Sequence, residues 1–524
     1  MADAFQPPAE GPDPATPVRA NRQVAKLRAA LREREARVIE LEERLTALEN
    51  STATQFGRAV AAAARRPARG MIRLPRQLYR LWKRKDTPQP QSSEERRRHI
   101  DLAGVDRPED RMLVAAPADG LTIAGVLGPA ALAAAAGAAA RVVPLLPHDA
   151  ALAIDSADAD LVIVDAAAGA PGGAWAYLGE PGVYDREQAL AVLMDTARDR
   201  GLPVVLWGDT PPPGLARLDW AATGSPGVSL RRFNPVGAIS RDATPIVVEP
   251  HGGWSRVPLG VRRFADDIAA ALGARATACD PDALPDLLRR SAVTLALAPS
   301  QVPEQLAAGA LVLCPVPVAD RLPADMREHV RVAGDGAAAV AALADLADYD
   351  PRPALRTLFS AYATPVRLAR LCENLGLPAD PLADRRVAVL AAARDEAAAR
   401  RLAAGLLAQA HRPAEAVVTG PGAAAAAAEL GANGIVVRAA AEAVRAPWVA
   451  PWPGGETSGW YLLDLVCAAE CSGADAVGPG AADPYTFTTD IEPALLRREL
   501  HTAGGSAANL AARGARLLSF DPRR

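Results

Sequence analysis

Residues 293–314, VTLALAPSQVPEQLAAGALVLC, join two short apolar runs through a segment of helical composition. The runs Val293–Ala298 and Ala310–Cys314 are predicted strands, and Glu304 lies at the start of the helix between them. Strands that alternate with helices form a parallel sheet covered on both faces. The stretch therefore predicts an α/β protein.

The same alternation continues on both sides of this stretch. Further predicted strands are Met112–Ala116, Val142–Leu146, Leu161–Asp165, Pro203–Trp207 and Ile246–Glu249. The predicted helices are Ala130–Ala140, Arg186–Arg200, Val261–Leu272 and Pro281–Ser291. A break near Asn234–Thr244 separates two units of similar size. We therefore predict an N-terminal Rossmann-like lobe over residues 99–240 and a C-terminal Rossmann-like lobe, the nucleotide side, over residues 241–380.

Length and composition limit the class of protein. The chain has 524 residues, half of them hydrophobic and 4% aromatic, which is enough for several packed domains. No apolar run has the roughly 18 residues that a membrane-spanning helix needs. The five cysteines form no CxxC pair, so neither a disulfide framework nor a zinc site is indicated. We expect a cytoplasmic protein.

Residues 21–50 have the pattern of a coiled coil, after a tail over residues 1–20 that we expect to be disordered. One heptad position holds Val24, Leu31, Val38 and Leu45, and the other holds Leu27, Leu41 and Leu48. Four heptads with apolar residues at both positions, interrupted only by Arg34, predict self-association, here a homodimer. The alternative is a lone amphipathic helix that lies on the body of the protein.

Residues 51–98 are predicted to form a basic amphipathic helix and a linker. Residues 51–85 contain ten of the 58 basic residues and none of the 61 acidic ones. The cationic face carries Arg76, Arg80, Lys83 and Arg84, and Trp82 lies on the apolar face. Such a helix suits an anionic membrane surface, here the inner face of the plasma membrane. Packing on the next domain is the alternative, and nucleic acid is not expected because no base-reading module accompanies the helix.

Several segments of the two lobes resemble CgeB-like glycosyltransferases, bacterial enzymes of the two-lobed GT-B type. They are Ala118–Thr122, Asp160–Asp165, Gly201–Asp209, Pro303–Val312 and Thr364–Leu368, the last resembling the family's terminal helix. The resemblance covers about residues 110–377. It implies transfer of a sugar from a nucleotide donor to a glycan acceptor in cell-envelope polysaccharide synthesis, without an essential metal or other cofactor.

By this resemblance Glu304 would accept hydrogen bonds from both ribose hydroxyls of the donor, since a carboxylate has two acceptor oxygens. Gly309 would let the chain turn tightly after the helix. A glutamate at a helix start is also a common partner of the helix dipole. Members of the family often carry basic residues just before the glutamate, whereas Ala298–Pro303 contains none.

Two further groups of candidate residues follow predicted strands. Gly252 and Gly253 come after the strand Ile246–Glu249 and would present backbone N–H groups to a diphosphate, with His251 as an added donor. A glycine pair is alternatively only a turn. Asp119 is the first choice of catalytic base among Asp119, His148, Asp165 and Asp209, and its alternative role is that of an ordinary turn or cap aspartate.

Residues 381–524 are predicted to form a third, smaller α/β domain. Gln409–Pro413 resembles the Gln-x-x-x-Pro of family-2 glycosyltransferases, which have the single-lobed GT-A fold. Those enzymes hold a divalent cation with a short acidic motif, but Trp452–Thr457 offers only Glu456. We therefore predict a degenerate, inactive GT-A-like domain, with chance similarity of an ordinary α/β domain as the alternative.

Two function classes remain open from the sequence. Glu304 in its helix favours a glycosyltransferase. The missing basic residues before it favour a non-catalytic pseudo-glycosyltransferase scaffold at the inner membrane surface.

Overall fold

The computed structural model describes residues 120–138, 140–208, 211–238, 241–249, 257–277, 281–454, 457–502 and 507–523. The expected disordered tail, the coiled coil, the basic helix and the strand Met112–Ala116 lie outside the described residues. Gly120–Ile154 and Ala159–Arg524 form one compact unit, which contains three sheets. The α/β class predicted from the sequence is confirmed.

The first sheet has five parallel strands. They are β1 (Leu121–Val126), β2 (Ala140–Pro144), β3 (Leu161–Asp165), β4 (Val204–Trp207) and β5 (Ala222–Gly224). Their order is β2-β1-β3-β4-β5. Every residue of β1 and β3 is buried, because parallel strands with helices on both faces bury both sets of side chains.

Four helices accompany this sheet. They are α1 (Pro129–Ala136), α2 (Ala150–Ala157), α3 (Tyr184–Asp199) and α4 (Pro213–Ala216), and a 3₁₀ turn covers Ala166–Gly169. Side chains of α3 such as Leu190 and Leu193 pack on the face of the sheet that carries Val162 and Val164. The opposite face, with Ile163, packs against α1.

The second sheet repeats the topology of the first. Its strands are β6 (Ile246–Val248), β7 (Arg275–Thr277), β8 (Val293–Leu295), β9 (Leu311–Pro315) and β10 (Arg331–Ala333). They are parallel, in the order β10-β9-β8-β6-β7. Its first strand β6 therefore lies between its second and third strands, as β1 does in the first sheet.

Seven helices belong to the second sheet or follow it. They are α5 (Leu259–Leu272), α6 (Leu284–Arg290), α7 (Val302–Ala307), α8 (Val316–Ala319), α9 (Ala324–Arg327), α10 (Gly336–Ala342) and α11 (Arg352–Thr357). The 3₁₀ turns Pro299–Gln301 and Leu343–Asp348 precede α7 and follow α10. Pro303 occupies the first turn of α7, where its missing N–H breaks no helical hydrogen bond.

The chain then returns to the first sheet. A π-helical turn, Leu358–Tyr362, leads into α12 (Thr364–Leu375), which ends at Gly376 in the left-handed conformation. Leu368 and Cys372 of α12 are buried in the same core as Ile163 of the first sheet. The segment resembling a terminal helix thus joins the two lobes.

The third sheet has eight strands and is mixed, which the sequence did not predict. The strands are β11 (Val387–Ala392), β12 (Glu415–Thr419), β13 (Val436–Arg438), β14 (Trp448–Pro451), β15 (Ala476–Gly478), β16 (Thr486–Phe487), β17 (Leu495–Arg497) and β18 (Leu517–Ser519). Their order is β13-β12-β11-β14-β17-β15-β18-β16, with β17 antiparallel to both its neighbours and β16 antiparallel to β18.

The helices of the third domain are α13 (Glu396–Leu407), α14 (Ala423–Ala432), α15 (Tyr461–Ser472), α16 (Arg498–Thr502) and α17 (Ala507–Ala512). All residues of α15 except Glu470 are buried. The helix shares one hydrophobic core with α11 and the π-helical turn of the second lobe. The third domain is therefore packed onto the second lobe through a helix that is apolar on nearly every side.

Two further features concern the described part of the chain. None of its helices is both long enough and apolar enough to cross a membrane. Its four cysteines, Cys314, Cys372, Cys467 and Cys471, are buried free thiols.

Candidate functional site

A buried glutamine organises the carboxyl edge of the second sheet. Gln301 is 5% exposed, and its Nε2 donates to the carbonyl of Val248 at 3.0 Å. Its Oε1 accepts from the backbone N–H of Leu297 at 2.9 Å and of Ala298 at 3.2 Å. These bonds tie the end of β6 to the chain that follows β8. That point is where the strand order reverses, which is where open α/β sheets bind ligands.

Glu304 lies in the first turn of α7, three residues after Gln301. The helix is anchored from the sheet side, because the Thr294 hydroxyl on β8 donates to Oε1 of the buried Gln305 at 3.1 Å. Glu304 is partly exposed, while Gln305 and Leu306 beside it are buried. The structure thus places this predicted ribose-binding residue at the carboxyl edge of the second sheet, near the switch point.

Gly309 lies at the other end of α7, before β9 and hence at the amino edge of the sheet. Its φ is +78°, and an added Cβ would lie 2.8 Å from Nη2 of Arg241. The Arg241 guanidinium donates to the carbonyl of Gly309 and, at 3.0 Å, to that of Ala308. The structure therefore does not bring Gly309 and Glu304 together, and Gly309 serves a tight turn held by Arg241.

The predicted diphosphate-binding residues His251, Gly252 and Gly253 lie outside the described residues. The chain reaches Glu249 at the carboxyl end of β6 and is described again from Val257, just before α5. Asp119 and Asp209, two of the four candidate bases, also lie outside the described residues.

The other two candidate bases belong to the first lobe. Asp165 is 5% exposed, and its carboxylate accepts from the N–H groups of Gly128 at 3.1 Å and Ala167 at 2.9 Å. It thereby ties the ends of β1 and β3 together and caps the following 3₁₀ turn. His148 has a 69% exposed side chain, 3.4 Å from the carboxylate of Asp149. Asp165 is thus committed to backbone donors rather than open to an acceptor hydroxyl.

A cavity of about 490 Å³, the lobe–domain cavity, lies between the second lobe and the third domain. Its walls include Gly309, Arg241, Tyr349 and Tyr485. The Tyr349 hydroxyl donates to the carbonyl of Ala310 at 3.0 Å, and burial raises the pKa of Tyr349 to about 12. The Arg241 guanidinium and the Tyr349 hydroxyl therefore hold the turn around Gly309 by hydrogen bonds.

The Gln-x-x-x-Pro segment of the third domain has a clear local role. Gln409 is 3% exposed; its Oε1 accepts from the N–H of Leu462 at 3.1 Å, and its Nε2 donates to the Ser458 carbonyl at 2.9 Å. It thereby satisfies a backbone donor in the first turn of α15. Glu456, the single acid of the stretch where the acidic motif was expected, lies outside the described residues. Among the described residues, no three or more His, Cys, Asp or Glu side chains form a group suited to a metal ion.

The sequence carries no signal for the roles of Gln301 and Arg241 in these sites. A glutamine before an apolar helix carries no distinctive pattern, and Arg241 acts on a turn 68 residues further along the chain. No protein-family model matches the chain, and no curated protein matches it.

Proposed function

We propose that this protein is a glycosyltransferase-like protein of the two-lobed type, which binds a nucleotide sugar at the carboxyl edge of the second sheet. It would transfer the sugar to a glycan acceptor in cell-envelope polysaccharide synthesis. The observation that carries the proposal is the position of Glu304, in the first turn of a helix beside the β6–β8 switch point. A partly exposed carboxylate there is suited to accept both hydroxyls of a ribose.

The arrangement of the two lobes supports the two-lobed type. Both sheets have the same strand order, and each therefore offers a switch point at its carboxyl edge. The helix α12 packs back onto the first sheet through Leu368 and Cys372. This return connection ties the proposed acceptor lobe to the nucleotide lobe.

We assign the third domain a structural part in this protein. The acids of its central helix form ion pairs, Asp464 with Arg356 and Glu470 with Arg385. The Asp464–Arg356 pair joins the domain to the second lobe, and the Glu470–Arg385 pair lies within the domain, so neither carboxylate is offered to a metal or a sugar. The coiled coil and the basic helix would add a homodimer and attachment to the inner face of the plasma membrane.

The test is calorimetric titration of the full chain with uridine and guanosine diphosphates. Glu304→Ala removes two charge-assisted hydrogen bonds and should weaken binding at least tenfold, which is about 1.4 kcal/mol. Glu187→Ala is the matched control, because Glu187 lies in the first turn of α3 in the other lobe. The control should bind as the wild type does, with or without manganese.

The rival function is a non-catalytic scaffold that uses the same folds to hold partners. The extensive core shared by the second lobe and the third domain favours it, as does the lack of basic residues over residues 298–303. Absence of binding to either nucleotide by the wild type would overturn the donor site and leave the scaffold.

A further inference from the structure

A second cavity, the junction cavity, lies where three parts of the protein meet. It has a volume of about 380 Å³. Its walls come from the end of α1 in the first lobe, from Ser229–Arg231, from the start of α12, and from the third domain. Glu304 does not line it, so the cavity is separate from the proposed donor site.

Two arginines near this cavity are held by aromatic rings instead of carboxylates. Arg497 lines the cavity, and its guanidinium carbon lies 4.1 Å from the centre of the Trp448 ring. Arg516 is stacked in the same way on Phe487 at 4.6 Å. Stacking fixes the plane of a guanidinium while leaving its edge N–H groups able to donate to an anion.

A third arginine, Arg231, lies against the end of the buried helix α15. An added Cβ at Gly473 would lie 1.8 Å from Nη1 of Arg231, so the guanidinium packs directly against this glycine. Gly473 has φ +62° and ends α15. The partly covered Arg231 side chain makes no hydrogen bond or ion pair with any residue that the structure describes, which leaves its donors open.

The charges around the junction cavity are not balanced. Glu470 forms an ion pair with Arg385, whose guanidinium donates to both carboxylate oxygens at 2.6 and 2.8 Å. Asp475 accepts from the backbone N–H of Arg516 at 2.9 Å. The pKa of Arg231 is lowered mainly by partial burial and further by repulsion from Arg516 and Arg497. Attraction to Asp475 and Glu470 raises this pKa but does not cancel the lowering. Asp384 also lines the cavity, so the four arginines Arg231, Arg385, Arg497 and Arg516 stand against three carboxylates, Asp384, Glu470 and Asp475. One excess positive charge remains, which a bound anion would balance.

We propose that the junction cavity binds a phosphate-bearing ligand, a phosphomonoester or a diphosphate, through Arg231 and Arg497, with Arg516 beside them. Planar guanidinium groups match the oxygens of phosphate and donate paired hydrogen bonds to them. The cavity volume leaves room for a ligand larger than a lone phosphate ion.

The test is calorimetric titration of the full chain with inorganic pyrophosphate. Arg231→Gln with Arg497→Gln should remove one equivalent of binding or weaken it at least tenfold. Arg513→Gln is the matched control, since Arg513 is exposed in the same domain and does not line the cavity. The control should change the affinity less than twofold, and Glu304→Ala should leave this equivalent in place even if it abolishes nucleotide binding.

Thermal melting of the variants without ligand shows whether they are folded. Unchanged pyrophosphate binding by a folded double variant would overturn the proposal, and so would an equal loss in Arg513→Gln. An unfolded double variant is replaced by Arg231→Lys with Arg497→Lys, which keeps charge but loses the paired donors. That variant should weaken binding, and unaltered binding by it would overturn the proposal.

Two kinds of molecule carry such a phosphate, soluble phosphate compounds and lipids with a phosphate headgroup. They are separated by sedimentation with phosphatidate vesicles, using a chain with Arg76, Arg80 and Lys83 changed to Glu so that the basic helix does not bind. Vesicle binding that depends on Arg231 and Arg497 supports the lipid. Pyrophosphate binding without vesicle binding supports the soluble source.

Discussion

Arg356 on α11 donates two hydrogen bonds to the carboxylate of Asp464 on α15, from Nε to Oδ1 and from Nη2 to Oδ2, each 2.7 Å long. The Asp464 side chain is 4% exposed, and Arg356 is also stacked on Trp460 at 5.2 Å. This paired contact joins the second lobe to the third domain within their shared core.

We expect Arg356→Ala to destabilise the protein by about 3–5 kcal/mol, because it leaves a buried carboxylate without its partner. The double variant Arg356→Ala/Asp464→Ala should recover part of this loss. Urea denaturation measures both. In the exposed pair Glu396–Arg400, with side chains 72% and 70% exposed, Glu396→Ala should cost no more than about 0.5 kcal/mol. An equal cost in the two single variants would show that burial of Asp464 is unimportant.

Gly309→Ala should destabilise the second lobe by about 1–3 kcal/mol, since φ of +78° is unfavourable for alanine. The new Cβ would also displace Arg241 from the carbonyls that it holds. Gly260→Ala in α5 is the control, because an added Cβ there meets nothing within 4 Å. It should be neutral or stabilising by up to about 1 kcal/mol. Melting curves of both variants make the comparison, and similar curves would refute this role for Gly309.

Stability should fall as the pH decreases from about 7 toward 5.5 because of His411. The pKa of His411 is lowered mainly by burial, and the positive charge of Arg385 lowers it further. The 2.8 Å hydrogen bond to the backbone carbonyl of Arg385 and the negative charge of Glu470 raise it, but the net shift is downward. The unfolded chain therefore binds a proton at higher pH than the folded chain does. Stability is complete above the unfolded pKa of about 6.5 and is lost below it, by at most about 1.4 kcal/mol per pH unit.

His411→Phe should make urea midpoints depend less on pH in this range, because Phe keeps the edge contact with Phe359 and does not titrate. The slope that remains should diminish further in His411→Phe/His329→Asn, since burial also lowers the pKa of His329. A wild-type slope retained in full by the double variant would exclude both histidines as its source.

We expect the basic helix to bind anionic lipid through both its positively charged face and its apolar face. Changing Arg76, Arg80 and Lys83 to Glu should weaken binding to acidic vesicles about a hundredfold or more, at about 1 kcal/mol for each basic residue near the surface. Leu78→Asp with Trp82→Ser should also release the protein, and neutral vesicles serve as the control. Co-sedimentation that neither change reduces would favour packing of the helix on the protein.

The α/β class and the positions of several strands were determined by the sequence itself, although the six-residue strand β1 (Leu121–Val126) was not predicted. Leu161–Asp165 is a strand as predicted, and Ala310–Cys314 differs from β9 by one residue at each end. Helices cover both faces of these parallel strands, so nearly every residue in them is apolar. A continuous apolar run of this kind can be recognised from local composition alone. The placement of Glu304 at the start of a helix was also local information.

Only the tertiary structure decided several of the short strands and the contacts of the sites. The three-residue strands β5, β7 and β10 lack a pattern of their own and exist because a neighbouring strand pairs with them. Gln301 bonds to Val248 across 53 residues, and Arg356 bonds to Asp464 across 108. The separation of Gly309 from Glu304 likewise follows from the direction of α7 between two parallel strands. These relationships depend on which distant groups the folded backbone brings within hydrogen-bonding distance, and a directional contact of that kind leaves no periodic pattern along the chain.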